Sequence, residues 1–315
     1  MARIPVTKTP KVYVGGQFIR SESGRVFPVR EAGGGKRGAR GERREARGET
    51  RDGGRGMGDT RLLGNIPQCT RKDLRNAVEA AAKAGPDWAQ RTPYNRGQIL
   101  YRLGEMLESR SAEMADALVI SGAATKAAAA KEVAASVDRL IYYAGWSDKY
   151  EQVLGNTNPV AGPFFNFTVA EPMGIIGIIA DDSAPLLGLI SQIAPVIVAG
   201  NTCVCLASQE FPYPAIVLGE QLAVSDLPGG VVNILTGFRK ELMPTFATHT
   251  HIRGLNAVVD QEEKKQLQLG AAESIKRVRA RKRDDEIDWL DARMQGAYEI
   301  RDFIEFKTTR HPIGA

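Results

Sequence analysis

The chain has 315 residues, 43% of them hydrophobic and 25% charged, with a formal net charge of +5. This length holds one large domain or two ordinary ones with a substantial core, and the composition is that of a soluble globular protein. No apolar run approaches the roughly 20 residues of a membrane helix, since the longest, Pro185–Gly200, is broken by Gly188, Ser191, Gln192 and Pro195.

The positive charge is local. Gly33–Gly58 holds eight basic residues against four acidic ones, so the rest of the chain is close to neutral. The first residues, MARIPVTKTPKVYVGG, contain no signal-peptide core. Cys69, Cys203 and Cys205 are too few for a disulfide framework. The expected compartment is the reducing cytoplasm.

In chain order, KVYVGGQFIRSESGRVFPV reads as short strands, with Gly15–Gly16 as a two-residue hairpin turn. Gly33–Gly58 offers ten glycines, seven arginines and almost nothing to bury, which predicts disorder. Thr70 and Asp73 form a capping-box pattern ahead of a helix with Leu74, Ala77, Val78, Ala81 and Ala82 on one face. Gly85–Pro86 is expected to stop it. Further helices are predicted from about Asn95 to Ser109 and from Ser111 to Ile120. A longer one carries Val133, Val137, Leu140, Ile141 and Ala144.

After Phe164 the pattern changes. GIIGIIA (Gly174–Ala180), CVCLA and GVVNILTG read as strands buried on both faces, separated by two apolar helices. This βαβαβ order predicts an α/β fold with a doubly wound parallel sheet. Beyond Gly237 the pattern predicts a helix near Lys240–Thr248, a strand at Ile252–Val258, a helix from Gln261, a helix near Met294–Arg301 and a short terminal strand. Ligands of such folds sit at the carboxyl ends of the strands. Here that edge carries Ile179, Ala180 and Asp181 after one strand, and Leu206, Ser208 and Gln209 after the next, with no lysine or arginine.

YYAGWSDK (Tyr142–Lys149), EPMGIIGII (Glu171–Ile179), APVIVAGNT (Ala194–Thr202) and LPGGVVNILTG (Leu227–Gly237) resemble successive signature stretches of the aldehyde dehydrogenase superfamily. VYVGGQF and FKTTRHPIG resemble its two ends. The resemblance implies a coenzyme domain for NAD or NADP, a catalytic domain and an oligomerisation arm. It also implies a cysteine nucleophile, a glutamate that activates water and donors for an oxyanion. It divides the chain into N-terminal strands and hairpin (1–32), a disordered Arg/Gly-rich insert (33–60), a coenzyme-type domain (61–260), and C-terminal helices with a terminal oligomerisation strand (261–315).

The departures from that family pattern matter most. The family's Pro-Trp-Asn-x-Pro falls on Asp181-Asp182-Ser183-Ala184-Pro185, which leaves Ser183 at the oxyanion position as a weak donor. The family's Lys-Pro-Ser-x-Glu-like loop falls on Leu206, Ala207, Ser208 and Gln209. The ribose contacts are therefore degenerate, and NAD or NADP is at most a weak ligand. The 78 residues after Gly237 contain no cysteine, so most of the catalytic domain, including its Glu-Leu-Gly-Gly stretch, is expected to be missing. The chain resembles the shortened second module of the two-module branch.

These features predict a non-catalytic subunit that pairs with a full-length catalytic homologue, or with itself, through the terminal strand or helix Val133–Lys149. The alternative is an NAD(P)-dependent oxidoreductase acting on aldehydes through a degenerate site. A third reading is nucleic-acid binding by the Arg/Gly insert, disfavoured because the insert has no aromatic residue for stacking. Cys203 and Cys205 read as core residues, not nucleophiles. His249 and His251 lack a third metal ligand in sequence and read as a loop or strand edge. Asp181–Asp182 reads as a helix-capping loop in preference to a cation site. The basic and acidic blocks KRVRARKRD and DDEIDWLD read as solvated surface, with phosphate binding by the basic block as the alternative.

Overall fold

The computed structural model describes residues 9–31, 61–283 and 287–314. The Arg/Gly-rich stretch lies outside the described residues, as do Asp284, Asp285 and Glu286. The chain opens with β1 (Val12–Val14) and β2 (Gln17–Ile19), then β3 (Val26–Arg30) and β4 (Leu62–Pro67). Five helices follow: α1 (Arg71–Gln90), α2 (Pro93–Ser109), α3 (Ser111–Ile120), α4 (Lys126–Trp146) and α5 (Tyr150–Leu154). After β5 (Asn156–Thr157) and β6 (Phe164–Pro172) comes the alternating core: β7 (Ile175–Ile179), α6 (Leu187–Val198), β8 (Thr202–Leu206), α7 (Tyr213–Leu222) and β9 (Val232–Leu235). It continues with α8 (Arg239–Thr248), β10 (Ile252–Val259), α9 (Gln261–Ala272) and β11 (Arg277–Lys282), and closes on α10 (Ala297–Arg301) and β12 (Ile304–Pro312).

The central sheet runs β11-β10-β7-β8-β9-β1-β2. Its first five strands are parallel, and the β1–β2 hairpin adds an antiparallel edge against β9. At the hairpin tip Gly15 and Gly16 have φ of 61° and 81°, the left-handed values a tight hairpin turn needs. From β7 the chain winds outward to β8 and β9, then crosses through α8 to place β10 on the other side of β7. The topological switch point therefore lies between β7 and β10.

Strand alternation divides the core. Ile176, Ile178, Cys203, Cys205, Val232 and Ile234 face a cluster built with α2, α3, α4, α6 and α7. Ile175, Ile179, Val204, Leu206 and Leu235 face the opposite cluster, built with α1, α8 and α9. Helices thus cover both faces, which is why these strands are apolar throughout. A second sheet, β12-β6-β5, pairs β12 with β6 over nine residues, from Ile304 opposite Pro172 to Pro312 opposite Phe164.

The structure corrects two sequence expectations. Helix α1 does not stop at Gly85–Pro86 but runs through to Gln90. Pro86 forfeits one backbone hydrogen bond. In return the extra turn buries Trp88, whose indole N–H donates to the Ile197 carbonyl over 3.0 Å. The charge blocks are not simply solvated surface. Arg277–Lys282 forms β11, parallel to β10, and Trp289 is only 3% exposed. The three arginines of β11 are matched by acids: Glu299 pairs with Arg279 and Arg281, and Glu305 pairs with Arg277.

Among the described residues, no helix is long and apolar enough to cross a membrane.

Candidate functional site

The expected site residues do converge at the carboxyl edge of the parallel strands. Ile179 lies opposite Leu206 in register, and the Ala180 N–H donates to the Leu206 carbonyl over 3.0 Å. All three side chains are buried and apolar. Polar character comes from the loops beyond them. The Asp182 carboxylate accepts from the Ser208 hydroxyl (2.7 Å) and from the Gln209 N–H (3.0 Å). It ties the loop after β7 to the loop after β8. The Asp181 carboxylate accepts from the Ser183 N–H (3.2 Å), the Ser183 hydroxyl and the indole N–H of Trp289 (2.8 Å). The Ser183 hydroxyl is therefore engaged by a carboxylate.

Several amides at this edge are engaged by the chain's own side chains. Helix N-termini and loop amides at this position are the usual phosphate cradles of α/β folds. At α6, the Leu186 and Leu187 N–H groups donate to Glu132 of α4, over 2.9 and 3.1 Å. At α8, the Arg239 N–H donates to the Gln209 side chain over 2.9 Å. At α9, Asp260 and Glu263 form a reciprocal capping box. Burial holds the Glu132 carboxyl above its ordinary value even though two amides favour its ionised form.

Between β7 and β10 sits the guanidinium of Arg239, 4% exposed. It donates to the carbonyls of Ala180 and Val258 and pairs with Asp182 at 3.0 Å. Trp289 is held at the same edge by its bond to Asp181. Its ring packs with Leu187 and Val258. It also leaves so little room that a Cβ on Gly188 would lie 3.3 Å from it. Arg139 of α4, itself buried, fixes this segment by donating to the carbonyls of Trp289 and Met294, each over 2.8 Å.

The three thiols lie away from any solvent path. All are buried. Cys203 and Cys205 point to one face of β8 with sulfurs 3.7 Å apart. Burial pushes the Cys69 thiol up to about 12 and raises Cys205 well above its ordinary value. His249 sits at the end of α8 with His251 close by, their ring centres 5.8 Å apart. Among the described residues no group of three or more His, Cys, Asp or Glu side chains is poised for a metal.

Sequence reading missed Arg239, Glu132, Arg139 and Trp289. Arg239 had a signal: it stands just past the third core strand, in TGFRK, where the next helix begins. Trp289 was a lone tryptophan in an acidic run, a residue whose large apolar area seeks burial.

The model of the Aldehyde dehydrogenase family matches residues 57–281. The chain belongs to the aldehyde dehydrogenase family. It is 31% identical over 276 residues to retinal dehydrogenase 2 of Gallus gallus, covering 86% of this chain and 48% of that protein. It is 30% identical over 246 residues to hydroxyisobutyraldehyde dehydrogenase of Mycolicibacterium austroafricanum, covering 78% of this chain and 43% of that one. Among solved structures, HpcC from Thermus thermophilus aligns with a TM-score of 0.74 and 25% identity, over 87% of this chain and 48% of that one. An aldehyde dehydrogenase from Bacillus cereus solved with NAD+ aligns with a TM-score of 0.75 at 22% identity, over 87% and 51% of the two chains, a likeness of fold. The chain spans about half the length of the curated relatives it matches. The family match runs past Gly237 to residue 281. It includes α8, β10, α9 and all but the last residue of β11.

The aldehyde dehydrogenase fold implies a nicotinamide dinucleotide, and these residues do not fit one. Its pyrophosphate needs free amides or cations. Here the amides named above are already bonded, and Asp181, Asp182, Asp260 and Glu263 bring carboxylates to the same edge.

Proposed function

We propose that this aldehyde dehydrogenase-family chain is a non-catalytic subunit that pairs with a full-length catalytic homologue or with a second copy of itself. The observation that carries the reading is the strand edge, where Glu132, Asp182, Gln209 and Asp260 accept from amides of the kind that hold a phosphate. The burial of every cysteine supports it, because a thiol shut inside the core is not open to attack an aldehyde.

Pairing is supported by β12. It lies at one edge of its sheet and, after Ile304, is exposed along its whole length. Phe165, Phe306 and Ile313 are exposed on the same sheet and just past its end. An unpaired edge with apolar side chains is a template for another strand. The test is native mass spectrometry of the purified chain, alone and mixed with a full-length aldehyde dehydrogenase from the same source. A stable mixed or homomeric assembly is expected. A chain that stays monomeric in both samples contradicts the pairing.

The competing reading is an NAD(P)-dependent oxidoreductase with a degenerate site, and the parallel sheet is its support. Steady NADH formation from an aldehyde by a homogeneous sample would favour it.

A further inference from the structure

The switch point is lined by acceptors. The ends of β7 and β10 present the carbonyls of Ala180 and Val258, and the flanking segments add the carboxylates of Asp182 and Glu263. Such a set repels a phosphate. It suits a planar cation with several N–H groups, whose fork can satisfy acceptors on two sides at once. The occupant is of that kind. The first residue of α8 sends its guanidinium into the crevice. There Nη2 reaches Ala180 and Asp182, while Nη1 lies 3.3 Å from the Val258 carbonyl and 3.8 Å from Glu263. Nε is buried with no hydrogen-bond partner, so binding is carried by the two tips of the fork.

We infer that the topological switch point of this chain is a guanidinium site, filled by Arg239 acting as a tethered ligand, in the place where the fold would otherwise receive an anionic dinucleotide. One side chain thereby joins four segments: the ends of β7 and β10, the loop holding Asp182, and the first turn of α9. This deepens the reading that no dinucleotide binds here and rests on it. It does not depend on which partner the chain takes.

The test is chemical rescue in the full chain. Arg239→Ala leaves Asp182 without its cation beside a cavity of guanidinium shape, while Glu263 stays paired with Arg283, and its unfolding midpoint is expected to fall by roughly 10 °C. Methylguanidinium chloride at up to about 50 mM is expected to raise that midpoint saturably by a few degrees. Equal sodium chloride or methylammonium chloride is expected to do much less, and Asp182→Asn in the same background is expected to abolish the response. If Arg239→Ala does not fold, the wild-type chain carries the test by NMR. The Arg239 guanidinium N–H signals are expected to be resolved and slow to exchange, and to lose that protection in Asp182→Asn.

A methylguanidinium effect no larger than the salt effect overturns the inference, as does rapid exchange of the Arg239 signals. NAD binding gained by Arg239→Ala also overturns it, by revealing a phosphate pocket beneath the side chain. NAD binding by the wild-type chain is a separate outcome that overturns the non-catalytic reading, while the rescue result still decides what the crevice recognises.

Discussion

The indole N–H of Trp289 donates to the carboxylate of Asp181 over 2.8 Å, joining positions 108 residues apart. This bond fastens the segment after β11 onto the loop after β7. It explains how Trp289, set between acidic neighbours, comes to be buried. Trp289→Ala is expected to cost about 3–5 kcal/mol. Trp289→Phe keeps most of the ring's burial and takes one donor from the Asp181 carboxylate, at about 1–2 kcal/mol. Urea unfolding followed by circular dichroism measures both, and equal losses would mean that the hydrogen bond, not the packing, holds the segment.

The thiols give a second expectation. With burial raising Cys69 to about 12, its thiolate fraction at pH 8 is about a thousandfold below that of a free cysteine. Cys203 and Cys205 are shut within the sheet–helix core. Ellman's reagent is expected to find essentially no rapidly reacting thiol in the native chain and three in denaturant. A fast native thiol would reopen the question of a nucleophile.

Glu132 sets a pH dependence. Its folded-state pKa is raised, with burial as the largest cause. Ionisation is therefore harder in the folded chain than in the unfolded one. The protonated group favours the folded state at low pH, and that contribution is lost as pH rises from the ordinary glutamate value of about 4.3 through the raised one. Glu132→Gln retains an acceptor for the Leu186 and Leu187 amides without the charge. Relative to wild type, the variant is expected to gain stability as pH rises above the ordinary glutamate value of about 4.3, measured as the difference in urea midpoints. A wild-type advantage that grows with pH would show that the helix N-terminus outweighs burial.

The fold was largely legible because its signals are local. Three apolar runs alternating with helices predicted the doubly wound sheet. The Thr70/Asp73 capping box appeared as expected, with Asp73 also accepting from Ser21 and Glu22. β11 escaped because its sequence, RVRARK, looks like a solvated charge run. Its identity as a strand depends on Glu299 and Glu305, which lie far along the chain. The candidate site was half legible. Its departures from the family pattern could be read position by position at Asp181, Asp182, Ser183 and Leu206. The partners those residues meet could not, since Glu132, Arg239 and Trp289 reach the edge only through tertiary packing.

This strand edge bonds several of its own amides and meets a dinucleotide phosphate with carboxylates. Isothermal calorimetry of the purified chain with NAD and with NADP tests it most directly. No saturable heat is expected up to about 1 mM cofactor, a limit that corresponds to a binding free energy weaker than about −4 kcal/mol. Saturable binding in the micromolar range would contradict the account.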